Sequence, residues 1–167
     1  QHVCGEVEGM KKVLFLHGLE SRPGGTKAKY LEQCGNELIN PLLPKWSYEE
    51  SVSVAQSAID THSPDVIVGS SRGGAVALSV DPKGAKLVLI APAWKRFIPD
   101  SSFEHVDKTT CVIHCPDDDI VDIDDSQRLT DDAGANLIRA GISHRMSDEE
   151  ALEAILDAVR WTTNAAR

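Results

Sequence analysis

Short apolar runs alternate with amphipathic stretches along nearly the whole chain, and this alternation leaves few folds open. Val13-Leu-Phe-Leu16, Asp65-Val-Ile-Val-Gly69, Lys86 to Ala91 and Thr110 to His114 are almost continuously apolar. That is how strands buried on both faces read, as opposed to strands with one wet face. Leu38 to Leu43 is a weaker strand candidate because Pro41 cannot donate to a ladder. Asn136 to Arg139 is a short one. Between them, Thr26 to Cys34 puts Ala28, Leu31 and Cys34 on one side and stops at Gly35. Ser47 stands three residues before Glu50, a capping box for a helix running to about Thr61 with Val52, Ala55 and Ile59 on one face. Gly73 to Val80 is small and apolar, as a helix pressed close to a sheet must be. Asp124 to Asp132 reads as a further helix. Ser147 and Glu150 repeat the capping box before a last helix through Trp161, with Leu152, Ile155, Leu156 and Val159 inward. Strand followed by helix, repeated, predicts an α/β fold: a three-layer α/β/α sandwich on a mostly parallel sheet.

The length of 167 residues suits one domain with one sheet. Residues 10–167 read as that domain. Residues 1–9, before Met10, read as an extension outside it, native or added. Hydrophobic residues make up 41% and charged residues 26%, an ordinary globular balance. No apolar run approaches the roughly 20 residues that span a bilayer, so a soluble protein with no membrane span is expected. No charged segment followed by an apolar core opens the chain, so no secretory leader is expected. The formal net charge is −9 and no Lys/Arg cluster is visible, which argues against a nucleic-acid partner. Acidity gathers at Asp117 to Asp119 and Asp122 to Asp125, mostly a solvated loop. As a calcium loop it lacks the central Gly and terminal Glu of an EF-hand. Cys111 and Cys115 lie four apart on a strand, about 13 Å at the usual rise, too far for a disulfide between them. With Cys4 and Cys34 they read as reduced thiols of a cytoplasmic protein.

The motif that carries chemistry is Gly69-Ser70-Ser71-Arg72-Gly73, followed by Gly74. It fits G-x-S-x-G, directly after a buried strand and directly before a small-residue helix. A serine hydroxyl is a poor nucleophile unless it is lifted out beside a base. A sharp strand-to-helix turn does that, and flanking glycines permit the strained backbone and the close helix. Ser71, rather than Ser70, is the nucleophile candidate.

On these residues the chain resembles the α/β-hydrolase superfamily, especially its small single-domain bacterial serine esterases. The resemblance covers roughly Lys11 to Trp161. It rests on His17-Gly18 after the first strand, the elbow at Ser71, and an Asp and a His at the ends of later strands. It implies the chain order nucleophile, acid, histidine. The acid is expected after the penultimate strand, in His114-Cys-Pro-Asp-Asp-Asp-Ile-Val121. The family's H-G-x-x-D-x-V-V pattern laid on this segment puts the carboxylate at Asp118, with Asp117 and Asp119 as close rivals. Cys115 stands where the family usually has Gly. The base is expected after the last strand, where Gly141-Ile-Ser-His144 ends in His144. His17 and His114 read as hydrogen-bonding structural groups at strand ends. The resemblance also implies an oxyanion hole from the backbone N–H groups of Leu19 and Arg72, or of Glu20 if the loop is shifted by one.

Two residues stay open. Arg72 is expected to pair with Glu20 or an acidic-loop Asp, or else to meet an anionic substrate. Trp94 would line an acyl pocket with Ile120 and Val121, or be an ordinary half-buried Trp. Only about eighteen residues, Pro92 to Thr109, separate two strands, leaving little room for a lid domain. The expectation is therefore a serine hydrolase for carboxylic esters of small acyl groups, working through an acyl-enzyme. Thioesterase action with the same triad, or a catalytically silent binding protein, are the alternatives. No cofactor and no metal are implied, since the protein supplies its own nucleophile. The partner is a small acyl ester or thioester; the oligomeric state is not legible.

Overall fold

A computed structural model describes residues 10–161. Six strands form one sheet: β1 (Lys12–Leu16), β2 (Glu37–Ile39), β3 (Val66–Ser70), β4 (Lys86–Ile90), β5 (Cys111–His114) and β6 (Asn136–Arg139). Their order is β2-β1-β3-β4-β5-β6, and every neighbouring pair is parallel. The sheet is thus wholly parallel among the described residues. The helices are α1 (Thr26–Gln33), α2 (Tyr48–His62), α3 (Arg72–Leu78), α4 (Trp94–Phe97), α5 (Ile123–Ala133) and α6 (Glu149–Arg160).

The apolar runs explain the layering. Successive strand residues point to opposite faces, so an unbroken apolar run feeds two cores. Val13 and Phe15 pack with residues of α1 and α6, including Ala28, Leu31, Ile155 and Val159. Leu14 and Leu16 pack on the other face with Ala55, Ile59, Val76 and Leu129, from α2, α3 and α5.

Several boundaries differ from the sequence reading. β2 stops at Ile39, well before Leu43. Beyond it Asn40 donates from its side chain to the Phe15 carbonyl at 2.9 Å, and Pro41 has no N–H to continue the ladder. The last helix is capped by Asp148, one residue after the expected Ser147: Asp148 Oδ2 accepts from the Ala151 N–H at 3.1 Å. The Ser47 cap is as expected, accepting from the Glu50 N–H at 3.1 Å. The single turn of α4 was not foreseen. Cys111 and Cys115 are free and buried. Cys34 is disulfide-bonded, which corrects the expectation of four reduced thiols and removes the cysteine argument for a cytoplasmic location. Residues 1–9 lie outside the described residues. Among the described residues no helix is long and apolar enough to cross a membrane.

Connections out of β1 and β3 leave to opposite sides of the sheet, so a crevice opens between the carboxyl ends of these neighbouring strands. Open parallel sheets bind ligands at such a switch point.

Candidate active site

β3 ends at Ser70, and Ser71 turns the chain directly into α3. Its backbone sits at φ 56°, ψ −114°, a conformation costly for a residue with a Cβ. The turn is pinned from three sides. The Ser71 N–H donates to the Ile90 carbonyl at 2.9 Å, and the Ser71 carbonyl accepts from Gly74 at 2.9 Å and Ala93 at 3.0 Å. The motif glycines make the close approach possible. A Cβ on Gly73 would lie 2.0 Å from the Leu16 carbonyl oxygen, and one on Gly69 would lie 2.4 Å from the Gly73 oxygen. Neither position has space for even one methyl group.

Three side chains from distant parts of the chain meet here. His144 Nε2 lies 3.0 Å from Ser71 Oγ, and His144 Nδ1 lies 2.7 Å from Asp118 Oδ2. With the proton on Nδ1, the ring donates to Asp118 and accepts from the Ser71 hydroxyl. Asp117 and Asp119 are exposed, whereas the Asp118 side chain is fully buried. Its Oδ1 accepts from the Ile120 and Val121 N–H groups, each at 2.8 Å. Cys115, in place of the family's Gly, is buried, and its carbonyl accepts from the Asp118 N–H at 3.2 Å.

His114 is a further member that the sequence placed only as a structural group. It is fully buried, with Nε2 at 3.2 Å from Asp118 Oδ2 and 2.8 Å from the Val121 carbonyl. The Ser126 hydroxyl faces its Nδ1 at 2.7 Å. Burial holds its pKa down and keeps the ring neutral, so Nε2–H donates while Nδ1 accepts. His17 is structural, as expected. Its Nδ1–H donates to the Gly18 carbonyl at 2.8 Å and its Nε2 accepts from the Leu43 N–H at 2.9 Å, and burial lowers its pKa as well.

No family model matches the sequence, and no curated protein matches it. Solved structures do. Alpha/beta hydrolase domain-containing protein 10 from mouse superposes with a TM-score of 0.69 at 17% identity, covering 89% of this chain and 87% of that one. An α/β hydrolase enzyme from the sediment metagenome of the Mar Chica lagoon, Morocco, gives 0.67 at 17%, covering 97% and 99%. The esterase domain of a Rhodothermus marinus protein gives 0.63 at 17%, covering 89% and 83%. This chain has the α/β-hydrolase fold.

In this α/β-hydrolase fold a cleft of about 370 Å³ opens beside Ser71. Leu19, Ala93, Phe97, Ile120 and Val121 give it apolar walls. Trp94, by contrast, is not among the cleft's residues. It is 2% exposed, packs edge-on to Phe103 at 5.0 Å, and donates Nε1–H to the Asp125 carbonyl, which makes it a core residue. Arg72 also departs from expectation. Glu20 pairs instead with Lys45 at 3.2 Å, and the Arg72 guanidinium donates to the Pro44 carbonyl at 3.0 Å. The Arg72 partner comes from a loop that only the fold brings near α3.

Proposed function

We propose that the protein is a serine hydrolase that cleaves carboxylic esters of small acyl groups through an acyl-enzyme on Ser71. The observation that carries this is the unbroken hydrogen-bond chain Asp118–His144–Ser71, ending at a strained turn beside a cleft with both apolar and charged walls. An Asp–His–Ser relay of this geometry turns a weak hydroxyl into a nucleophile.

In the first half-reaction Ser71 Oγ bonds to the ester carbonyl carbon while its proton passes to His144 Nε2. Asp118 holds the Nδ1–H tautomer and stabilises the imidazolium. The tetrahedral intermediate collapses, the bond to the alcohol oxygen breaks, and that oxygen takes the proton from His144. In the second half-reaction water attacks the acyl-enzyme, gives its proton to His144, and releases the acid as the proton returns to Ser71. The oxyanion would be held by the N–H groups of Leu19 and Arg72. Leu19 lies in a turn and Arg72 opens α3, and neither N–H donates to a loop or side-chain acceptor among the described residues, so both are available as preorganised donors. The Glu20 N–H is similarly without an acceptor and is the alternative second donor.

The cleft volume lies at the small end of ligand sites, which supports short acyl groups over long ones. A panel of 4-nitrophenyl esters from acetate to dodecanoate, run beside the matching thioesters, tests this. The expected result is turnover that peaks at short chains and disappears in Ser71→Ala. A panel with no turnover, or with activity surviving in Ser71→Ala, contradicts it; faster thioester turnover would move the substrate class while keeping the chemistry.

A further inference from the structure

Two guanidinium groups converge on one ring in the wall of the cleft. Arg72 Cζ lies 5.7 Å and Arg96 Cζ 5.0 Å from the centroid of Phe97, and Arg72 also lies 5.6 Å from that of Tyr48. Arg72 is 2% exposed and makes a single side-chain hydrogen bond, to the Pro44 carbonyl. Among the described residues, no carboxylate stands within ion-pair distance of Arg72 or Arg96. The chain has 26 acidic residues against 17 basic ones, so the shortage is local. Aromatic faces and one carbonyl dipole ease the burial of a cation but leave its net charge uncompensated. Two acids also line the cleft. Asp122 caps α5 by accepting from the Asp124 N–H at 2.9 Å, and Asp125 pairs with Lys95 at 3.6 Å. Asp122 keeps its charge while capping, so Arg72, Lys95 and Arg96 stand in the lining against Asp122 and Asp125, a net positive balance in which neither arginine is ion-paired.

We infer that the substrate is an ester carrying a second acid group, an ionised carboxylate, seated against the Phe97–Arg96 wall. The inference rests on the ester-hydrolase reading above. The division of roles follows from exposure. Arg96 is exposed and able to make a forked contact with a carboxylate. Arg72 is covered, so it acts through its field, which a low-dielectric wall screens little.

Two matched pairs of substrates test it. In 4-nitrophenyl hemiadipate against 4-nitrophenyl hexanoate the charge sits on the acyl side. In 4-acetoxybenzoate against phenyl acetate it sits on the leaving group. The expected result is a kcat/KM preference of at least about tenfold for the charged member of one pair, worth about 1.4 kcal/mol. That preference should collapse toward unity in Arg96→Gln and narrow in 0.5 M NaCl, with Arg72→Gln acting in the same direction. Arg96 is on the surface, so its replacement gives a folded protein even if Arg72→Gln does not. Preference for the neutral member in both pairs, or a charged preference unchanged in Arg96→Gln, overturns the inference. If none of the four esters is hydrolysed, the ester reading fails, and adipate binding by calorimetry still decides the wall. Millimolar binding that is lost in Arg96→Gln supports it, and no binding overturns it.

Discussion

Both oxygens of Asp118 have a donor: two backbone N–H groups on Oδ1 and His144 on Oδ2, with the His114 ring 3.2 Å behind. Asp118→Asn puts an amide against the imidazole and favours the wrong tautomer. Hydrolysis should fall by about 10⁴ in kcat, while Asn at Asp117 or Asp119, both exposed, should change it by no more than a few-fold. Steady-state kinetics on the three variants check the register, and a larger loss at 117 or 119 would show it to be wrong. The two buried neutral histidines predict a pH effect on stability. Burial lowers the pKa of His17 and His114 below the unfolded value near 6.5, so the unfolded chain binds more protons than the native one. Their stabilisation is complete above about pH 6.5 and is lost as pH falls below it, by up to about 1.4 kcal/mol per pH unit for each ring. Thermal melts at pH 8, 7, 6 and 5 should show Tm constant above that window and falling within it. At this scale Ser71 stands out in the sequence by its place between a buried strand and a small-residue helix, while Asp118 and His144 are reached only through the family resemblance; the fold brings the three side chains within hydrogen-bond distance. The roles of Arg72 and Trp94 were not legible, because their surroundings come from Pro44, Tyr48, Phe97 and Asp125, segments no local pattern connects.

The last helix does two jobs at its amino end. Asp148 caps α6 through Ala151, and its other oxygen accepts from the Ile142 N–H at 3.1 Å. Glu150 accepts from the Gly141 N–H at 2.8 Å. The loop that carries His144 is thereby tied to α6. Asp148→Ala should cost about 1 kcal/mol as a lost cap and should also lower kcat, since the base loses an anchor. Chemical denaturation read beside kinetics separates the two effects; unchanged kcat would mean that the loop holds itself. The elbow sets a harsher limit. Gly73→Ala would drive a methyl group into the Leu16 carbonyl, so it should unfold the turn or abolish activity outright. The strands and long helices were legible because buried parallel strands and amphipathic helices each leave a periodic mark. β2 was overextended because an apolar run continues past Pro41, where the ladder cannot. The single turn of α4 has too few residues to show a period at all.

The sheet brings the ends of β1, β3, β5 and β6 to one rim, and the site exists only because of that order. The segment from Pro92 to Thr109 forms one helical turn and packs Trp94 and Phe103 inward, so it does not build a domain over the cleft. Hydrolysis should therefore show no jump on passing the solubility limit of a long-chain ester, and a sharp rise with emulsified triglyceride would contradict an open cleft. The proposed chemistry needs Ser71 as the nucleophile and His144 as its base. The most direct measurement is mass spectrometry of the protein after reaction with a fluorophosphonate, with peptide mapping of the adduct. One phosphonyl group is expected, located on Ser71, formed rapidly by the native protein and far more slowly by His144→Ala. An adduct on another residue, or no adduct on native folded protein, would contradict that chemistry.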